Sequence, residues 1–110
     1  MAIEIKQQKE GITQLVIQGE MTIYTVREQK NILEDQLKAC KELQIDLSGV
    51  DEIDSAGLQL LLLMKREAAE HLLKFSLVQH SQAVIEVLEL LNLSKYFGDP
   101  IVLSANWNKS

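Results

Sequence analysis

Ser55 is the one hydroxyl in the stretch Val50-Asp51-Glu52-Ile53-Asp54-Ser55-Ala56-Gly57, and three carboxylates, Asp51, Glu52 and Asp54, precede it. An apolar strand-like run, Leu43 to Leu47, leads in, and a largely apolar helix-like run, Leu58 to Leu72, leads out. A hydroxyl so placed sits beside the positive end of a helix, where backbone N–H groups lack partners within the helix. Such a site favours a phosphate or another anion. Phosphorylation of Ser55 would add about −1.5 to −2 charges. It would repel Asp51, Glu52 and Asp54 while the helix end partly stabilised it, so a partner would feel it more than the fold. The plainer alternative is that Asp54 or Ser55 caps the following helix, since both types are common caps. Gly57 is expected to give backbone freedom close to the hydroxyl.

Other chemistry finds little support. The hydrolase pattern Gly-x-Ser-x-Gly is absent around Ser55. The two histidines, His71 and His80, fall late on a helix and at a strand end, outside the loop. Five glycines include no phosphate-binding glycine-rich loop. Asp46, Asp51 and Asp54 have the oxygen chemistry of a metal site, but acidic residues near a loop are more often solvated charge. No metal, cofactor or catalytic group is expected. Cys40 is a lone cysteine without disulfide or zinc spacing. It is expected as a small buried thiol on a helix.

The elements that must position Ser55 follow from hydrophobic period. Ile3 and Ile5 alternate with polar residues, Gly11 breaks the run, and Thr13, Leu15 and Ile17 resume it with Val16 on the opposite face. Two hairpin-linked strands are predicted, the second ending near Gly19. Thr25-Val26-Arg27-Glu28 fits a capping box, and Val26, Leu33, Leu37 and Cys40 follow at helical spacing. Leu43, Ile45 and Leu47 alternate as a third strand. Leu58 to His71 is predicted helical, apolar on more than one face in its first turns, and mostly core. Phe75, Leu77 and Val78 suggest a fourth strand. Ser81 can cap a helix striped by Val84, Ile85, Leu88 and Leu91. Pro100 stops any continuation, and Ile101 to Leu103 is a candidate last strand, with Trp107 in the tail. Helices alternating with strands imply an α/β domain with a partly parallel sheet. The Val50–Gly57 loop leaves the carboxyl end of the third strand, where such folds tend to hold their sites.

The bulk numbers agree. The chain has 110 residues, 46% of them hydrophobic and 25% charged, which suits one folded domain. A net charge of −5 without a basic stripe disfavours nucleic acid and anionic membrane surfaces as partners. Met1 to Lys9 lacks a signal-peptide apolar core, and Leu60 to Met64 is too short to span a bilayer. A cytoplasmic location without membrane insertion is expected.

The loop and the order of elements resemble the STAS domain family, and within it the stand-alone anti-sigma factor antagonists. The matching residues are Gly19-Glu20-Met21-Thr22, Ile45-Asp46-Leu47-Ser48-Gly49-Val50 and Ile53-Asp54-Ser55-Ala56-Gly57-Leu58. The resemblance implies a mixed sheet of four to five strands, with three to four helices mainly on one face. It makes Ser55 the phosphorylated residue, in a switch loop of Asp51, Asp54, Ser55, Ala56 and Gly57. It implies that the unphosphorylated protein binds an anti-sigma factor, usually a serine kinase of the histidine-kinase-like ATPase fold, and so frees a sigma factor. Phosphorylation ends that binding and a PP2C-type phosphatase restores it. A partner blocked in this way must cover the loop, which places its surface on Asp51, Ser55, the Met21 to Thr25 segment and the exposed edge of Leu58 to Lys65, with Met21, Thr22, Thr25, Leu58, Gln59 and Leu62 as its contact residues. The chain departs from many members at Ala56, where they carry a second hydroxyl. It also lacks a glycine between Glu67 and Lys74, where a turn often precedes the fourth strand. The family further holds a subunit of a lipid-transport ATPase complex and regulators coupled to chemotaxis or cyclic-nucleotide signalling. A constitutive interaction subunit is therefore the alternative.

Overall fold

A computed structural model describes residues 3–91, all but the side chain of Gln7. Strands β1 (Ile3–Lys9) and β2 (Ile12–Met21) form an antiparallel hairpin. Its turn, Glu10-Gly11, has φ of 54° and 84°, the paired positive values that a tight two-residue hairpin turn needs. Then follow α1 (Val26–Ala39), β3 (Glu42–Ile53), α2 (Ser55–Glu70), β4 (Lys74–Val78) and α3 (Gln82–Leu90). The sheet order is β1-β2-β3-β4, with β2, β3 and β4 parallel. The expected partly parallel α/β sheet is therefore present. The strand expected at Ile101–Leu103, the Pro100 stop and Trp107 lie outside the described residues.

Strand alternation places one row, Leu15, Ile45 and Leu77, in register across β2, β3 and β4. These residues share one core with Leu33 and Leu37 of α1, Leu61 and Met64 of α2, and Val84 and Leu88 of α3. The opposite alternation is polar. Gln14 donates to Gln44 at 3.3 Å, and Lys6 pairs with the buried Asp46 at 3.4 Å. This division of the sheet puts the helices on one face.

Three local expectations are corrected. First, β3 does not end at Leu47 but continues to Ile53, pairing with β2 as far as Met21. It carries two irregularities in that pairing. The Asp46 carboxylate accepts from the Ser48 N–H at 2.8 Å at the first of them. Each bulge adds a residue and inverts the alternation, so Leu47 and Val50 are both buried. The expected loop from Val50 to Gly57 thus shrinks to Asp54 alone. Second, α2 begins at Ser55, not Leu58. Third, Cys40 lies just past α1 in extended backbone rather than on the helix. Burial raises its thiol pKa, against weaker opposing bonds from Thr13 and Glu42.

The predicted capping box at Thr25–Glu28 does not form either. Thr25 occupies the cap position, but its hydroxyl makes no cap bond. It accepts instead from the Thr22 N–H at 2.9 Å and donates to the Glu20 carbonyl at 3.1 Å. Gln29, a buried polar residue of α1, donates to the same carbonyl at 2.9 Å. The predicted Ser81 cap does form, accepting from the Val84 N–H at 3.2 Å.

The glycine missing between Glu67 and Lys74 leaves a mark. Leu72 takes φ 59°, while the Leu72 and Leu73 N–H groups donate back to the Ala69 and Ala68 carbonyls at 3.2 and 3.0 Å. This is the left-handed helix ending that glycine usually supplies. The Leu72 side chain is 93% exposed, so it contributes no packing. Leu72→Gly should therefore stabilise the protein by about 1 kcal/mol by removing left-handed strain. A urea titration checks it, and a lower midpoint for the variant would contradict it.

Candidate functional site

Ser55 is the first residue of α2 and is exposed. Asp54 before it holds the helix start in place through four hydrogen bonds. Its carboxylate accepts from the Gly57 N–H at 3.1 Å and from the Ile23 N–H at 3.0 Å. Its backbone N–H donates to the Met21 carbonyl at 3.2 Å, and its carbonyl accepts from the Leu58 N–H at 3.0 Å. Burial works against the ionised form, but the amides of Ile23, Gly57 and Ala56 outweigh it and hold the carboxyl below its ordinary pKa. Asp54 is thus the cap, and Ser55 is not.

That settles one alternative and modifies the other. The anion place at the start of α2 is already occupied by the Asp54 carboxylate. A phosphate on Ser55 would meet that carboxylate rather than an empty cradle, and would lie toward solvent.

Gly57 plays a different part from the one expected. A Cβ at this position would lie 2.1 Å from the Met21 carbonyl oxygen and 2.8 Å from the Met21 carbonyl carbon. Its role is close approach between the start of α2 and the end of β2, not backbone freedom.

The residues expected on the partner surface divide in two. Asp51, Ser55 and Gln59 are exposed, Thr25 and Leu62 are half-buried, and so is Ala56 of the expected switch loop. Met21 is fully buried, while Thr22 and Leu58 are 4% exposed. These three shape the surface from beneath and cannot contact a partner in this conformation. The reason is the approach at Gly57, which draws the end of β2 under α2. Asp46, Asp51 and Asp54 do not converge. Asp46 faces Lys6 on the polar side of the sheet, and Asp54 is spent on backbone amides. His71 ends α2, about 24 Å along the helix from Ser55 at 1.5 Å per residue.

Within the expected Met21 to Thr25 segment, Ile23 and Tyr24 were not singled out, yet they follow β2 and are 67% and 90% exposed. The available signal was an adjacent aliphatic and aromatic pair placed between a strand and a helix. Ile23 also lines a groove of about 440 Å³ between the first turns of α1 and α2, together with Val26, Leu60, Leu63, Arg27 and Lys30. Ala56 of the expected switch loop and Gln59 of the expected partner surface also line it.

Residues 5–103 match the sequence model of a family described as "Mlab, STAS domain". The chain belongs to the STAS domain family. No curated protein matches it. Among solved structures, an anti-sigma factor antagonist from Mycobacterium paratuberculosis superposes with a TM-score of 0.76 at 22% identity, covering 91% of this chain and 87% of that one. The anti-sigma factor antagonist SpoIIAA in its unphosphorylated form gives 0.70 at 18% identity, over 84% and 82%. The Bacillus cell fate determinant SpoIIAA in its phosphorylated form gives 0.67 at 17%, over 84% and 85%. At these identities the likeness is one of fold. Among the described residues of this STAS domain, no helix is long and apolar enough to cross a membrane.

Proposed function

We propose that this STAS domain is a cytoplasmic anti-sigma factor antagonist switched at Ser55, a binding module and not an enzyme. Unphosphorylated, it binds an anti-sigma factor that is itself a serine kinase of the histidine-kinase-like ATPase fold. Phosphate on Ser55 ends the binding, and a PP2C-type phosphatase restores it. The observation that carries this reading is the division of labour at the start of α2. Asp54 does the capping, which leaves the Ser55 hydroxyl exposed and free of a structural task. The antagonist folds among its structural neighbours, one of them in a phosphorylated form, support it.

Ser55→Ala should fold normally and bind the partner permanently. Ser55→Asp should bind more weakly, though one carboxylate only partly mimics a phosphate dianion. Equal affinity of the two variants for the partner kinase, or mass spectrometry finding no phosphate on Ser55 in the native cell, would remove the switch. The second reading, a constitutive interaction subunit such as that of a lipid-transport ATPase or a chemotaxis or second-messenger regulator, would then stand. It is kept because the matching family description names no antagonist.

A further inference from the structure

We propose that the groove between α1 and α2 receives an acidic amphipathic helix of the partner, and that this acidity makes the partner sensitive to phosphate on Ser55. The proposal rests on the switched reading above and adds the chemistry of what is bound. Three observations lead to it.

The groove has the form of a helix seat. Its floor is aliphatic, from Val26 and Leu60, and its edges carry Ile23 and Leu63. A helix docks in such a groove through apolar residues at i, i+3 or i+4, and i+7. Ile23 is two-thirds exposed and stands in the groove beside the half-buried Val26 and Leu63.

The groove is basic in an acidic protein. Arg27 and Lys30, three residues apart, stand on the same side of α1. The chain as a whole carries −5. Arg27 makes no ion pair among the described residues. Lys30 precedes Glu34 by four residues on α1, and it opposes the upward shift that burial and Glu34 give the Glu67 carboxyl of α2. Two cations beside an apolar seat complement carboxylates on the flank of an incoming helix.

The sign of the switch agrees. Ala56, which lines the groove, follows Ser55 directly. A phosphate on Ser55 would add negative charge beside Asp54, one residue from the groove's lining. Against a basic segment it would strengthen binding, whereas against an acidic one it weakens binding. By charge–charge interaction, an acidic partner segment makes phosphate an off signal and a basic one does not.

The test uses the whole chain, labelled for amide shifts, and two synthetic helical peptides with identical leucines at i, i+3 and i+7. One carries glutamates on its flanks and the other lysines. The acidic peptide should shift Ile23, Val26, Ala56 and Leu63 and bind more tightly than the basic one. Reversing Arg27 and Lys30 to glutamate should weaken it by about two- to fivefold per charge, as for exposed pairs, and should invert the preference. Ile23→Ser, which alters an exposed side chain and leaves the fold intact, should weaken it about tenfold through lost apolar burial. Shifts that map elsewhere, no shift with either peptide, or a preference for the basic peptide would overturn the proposal. The two readings fail separately. If the acidic peptide seats in the groove but binds Ser55-phosphorylated protein equally well, the link between acidity and phosphate is overturned, whereas equal affinity of Ser55→Ala and Ser55→Asp for the partner kinase removes the switch and leaves the groove standing.

Discussion

Gly57→Ala should destabilise the protein by about 3 kcal/mol, at the upper end of what overpacking costs. On helix propensity alone the change should help, since alanine is favoured over glycine by about 1 kcal/mol inside a helix. The steric effect wins because of what the new methyl meets. It would lie 2.1 Å from the Met21 carbonyl oxygen and 2.8 Å from both the carbonyl carbon and Cβ of Met21. Two of these atoms are backbone, so no rotamer change relieves the clash. The start of α2 must instead move away from the end of β2. That movement stretches the Asp54 N–H bond to the Met21 carbonyl and the Ile23 N–H bond to the Asp54 carboxylate. Urea unfolding should show a much lower midpoint with an unchanged slope, the sign of lost stability without a changed denatured state. A variant as stable as wild type would show that the two backbones are less tightly apposed than described. The site should suffer along with stability, since the same contact sets the position of Ser55.

The regular parts of this fold were legible because their signals are local. Alternation in Thr13, Leu15 and Ile17 needs no knowledge of the rest of the chain, nor does the Ser81 cap four residues before Ile85. The second half of β3 was not legible. Its two bulges break the period of two after Leu47, so Ser48 to Ile53 read as a loop although they pair with β2. The start of α2 was hidden for a related reason. Ser55, Ala56 and Gly57 carry no apolar stripe, and the periodic signal begins only at Leu58.

The candidate site divides along the same line. Ser55 and Asp54 were visible from residue type and place. Met21, Thr22 and Leu58 were misplaced because their burial depends on the approach at Gly57, a contact between segments more than thirty residues apart in sequence. Thr25 had the right type for a cap, yet the Thr22 N–H and the Glu20 carbonyl compete for its hydroxyl and win. The groove was legible only as two segments, Met21 to Thr25 and the edge of Leu58 to Lys65; Val26, Arg27 and Lys30 were not placed there, since that needs the packing of α1 beside α2.

Asp54→Ala should cost about 2 kcal/mol near neutral pH. Loss of a helix cap accounts for about 0.5–2 kcal/mol. The bond from the Ile23 N–H to the charged carboxylate adds to this, since charge-assisted bonds are worth more than neutral ones. The contribution must depend on pH, and its direction follows from linkage. The folded-state pKa of Asp54 lies below its unfolded value, because backbone amides of Ile23, Gly57 and Ala56 favour the carboxylate more than burial opposes it. A carboxyl depressed in this way stabilises the fold fully above its unfolded pKa, about 4. The stability is lost as pH falls through the folded pKa. The gap between wild type and Asp54→Ala should therefore be constant above about pH 5 and narrow below about pH 4. Asp54→Asn, which keeps one oxygen acceptor but no charge, should fall between them at neutral pH and show no such narrowing. Exchange of the Ile23 amide should speed up in both variants, because its acceptor is weakened or gone. That readout separates Asp54 as the tie between the two connections from Asp54 as surface charge. A gap that stays the same from pH 3 to pH 7, with Ile23 exchange unchanged, would mean that the carboxylate does not hold the two segments together. The exposure of Ile23 beside Ser55 would then need another cause.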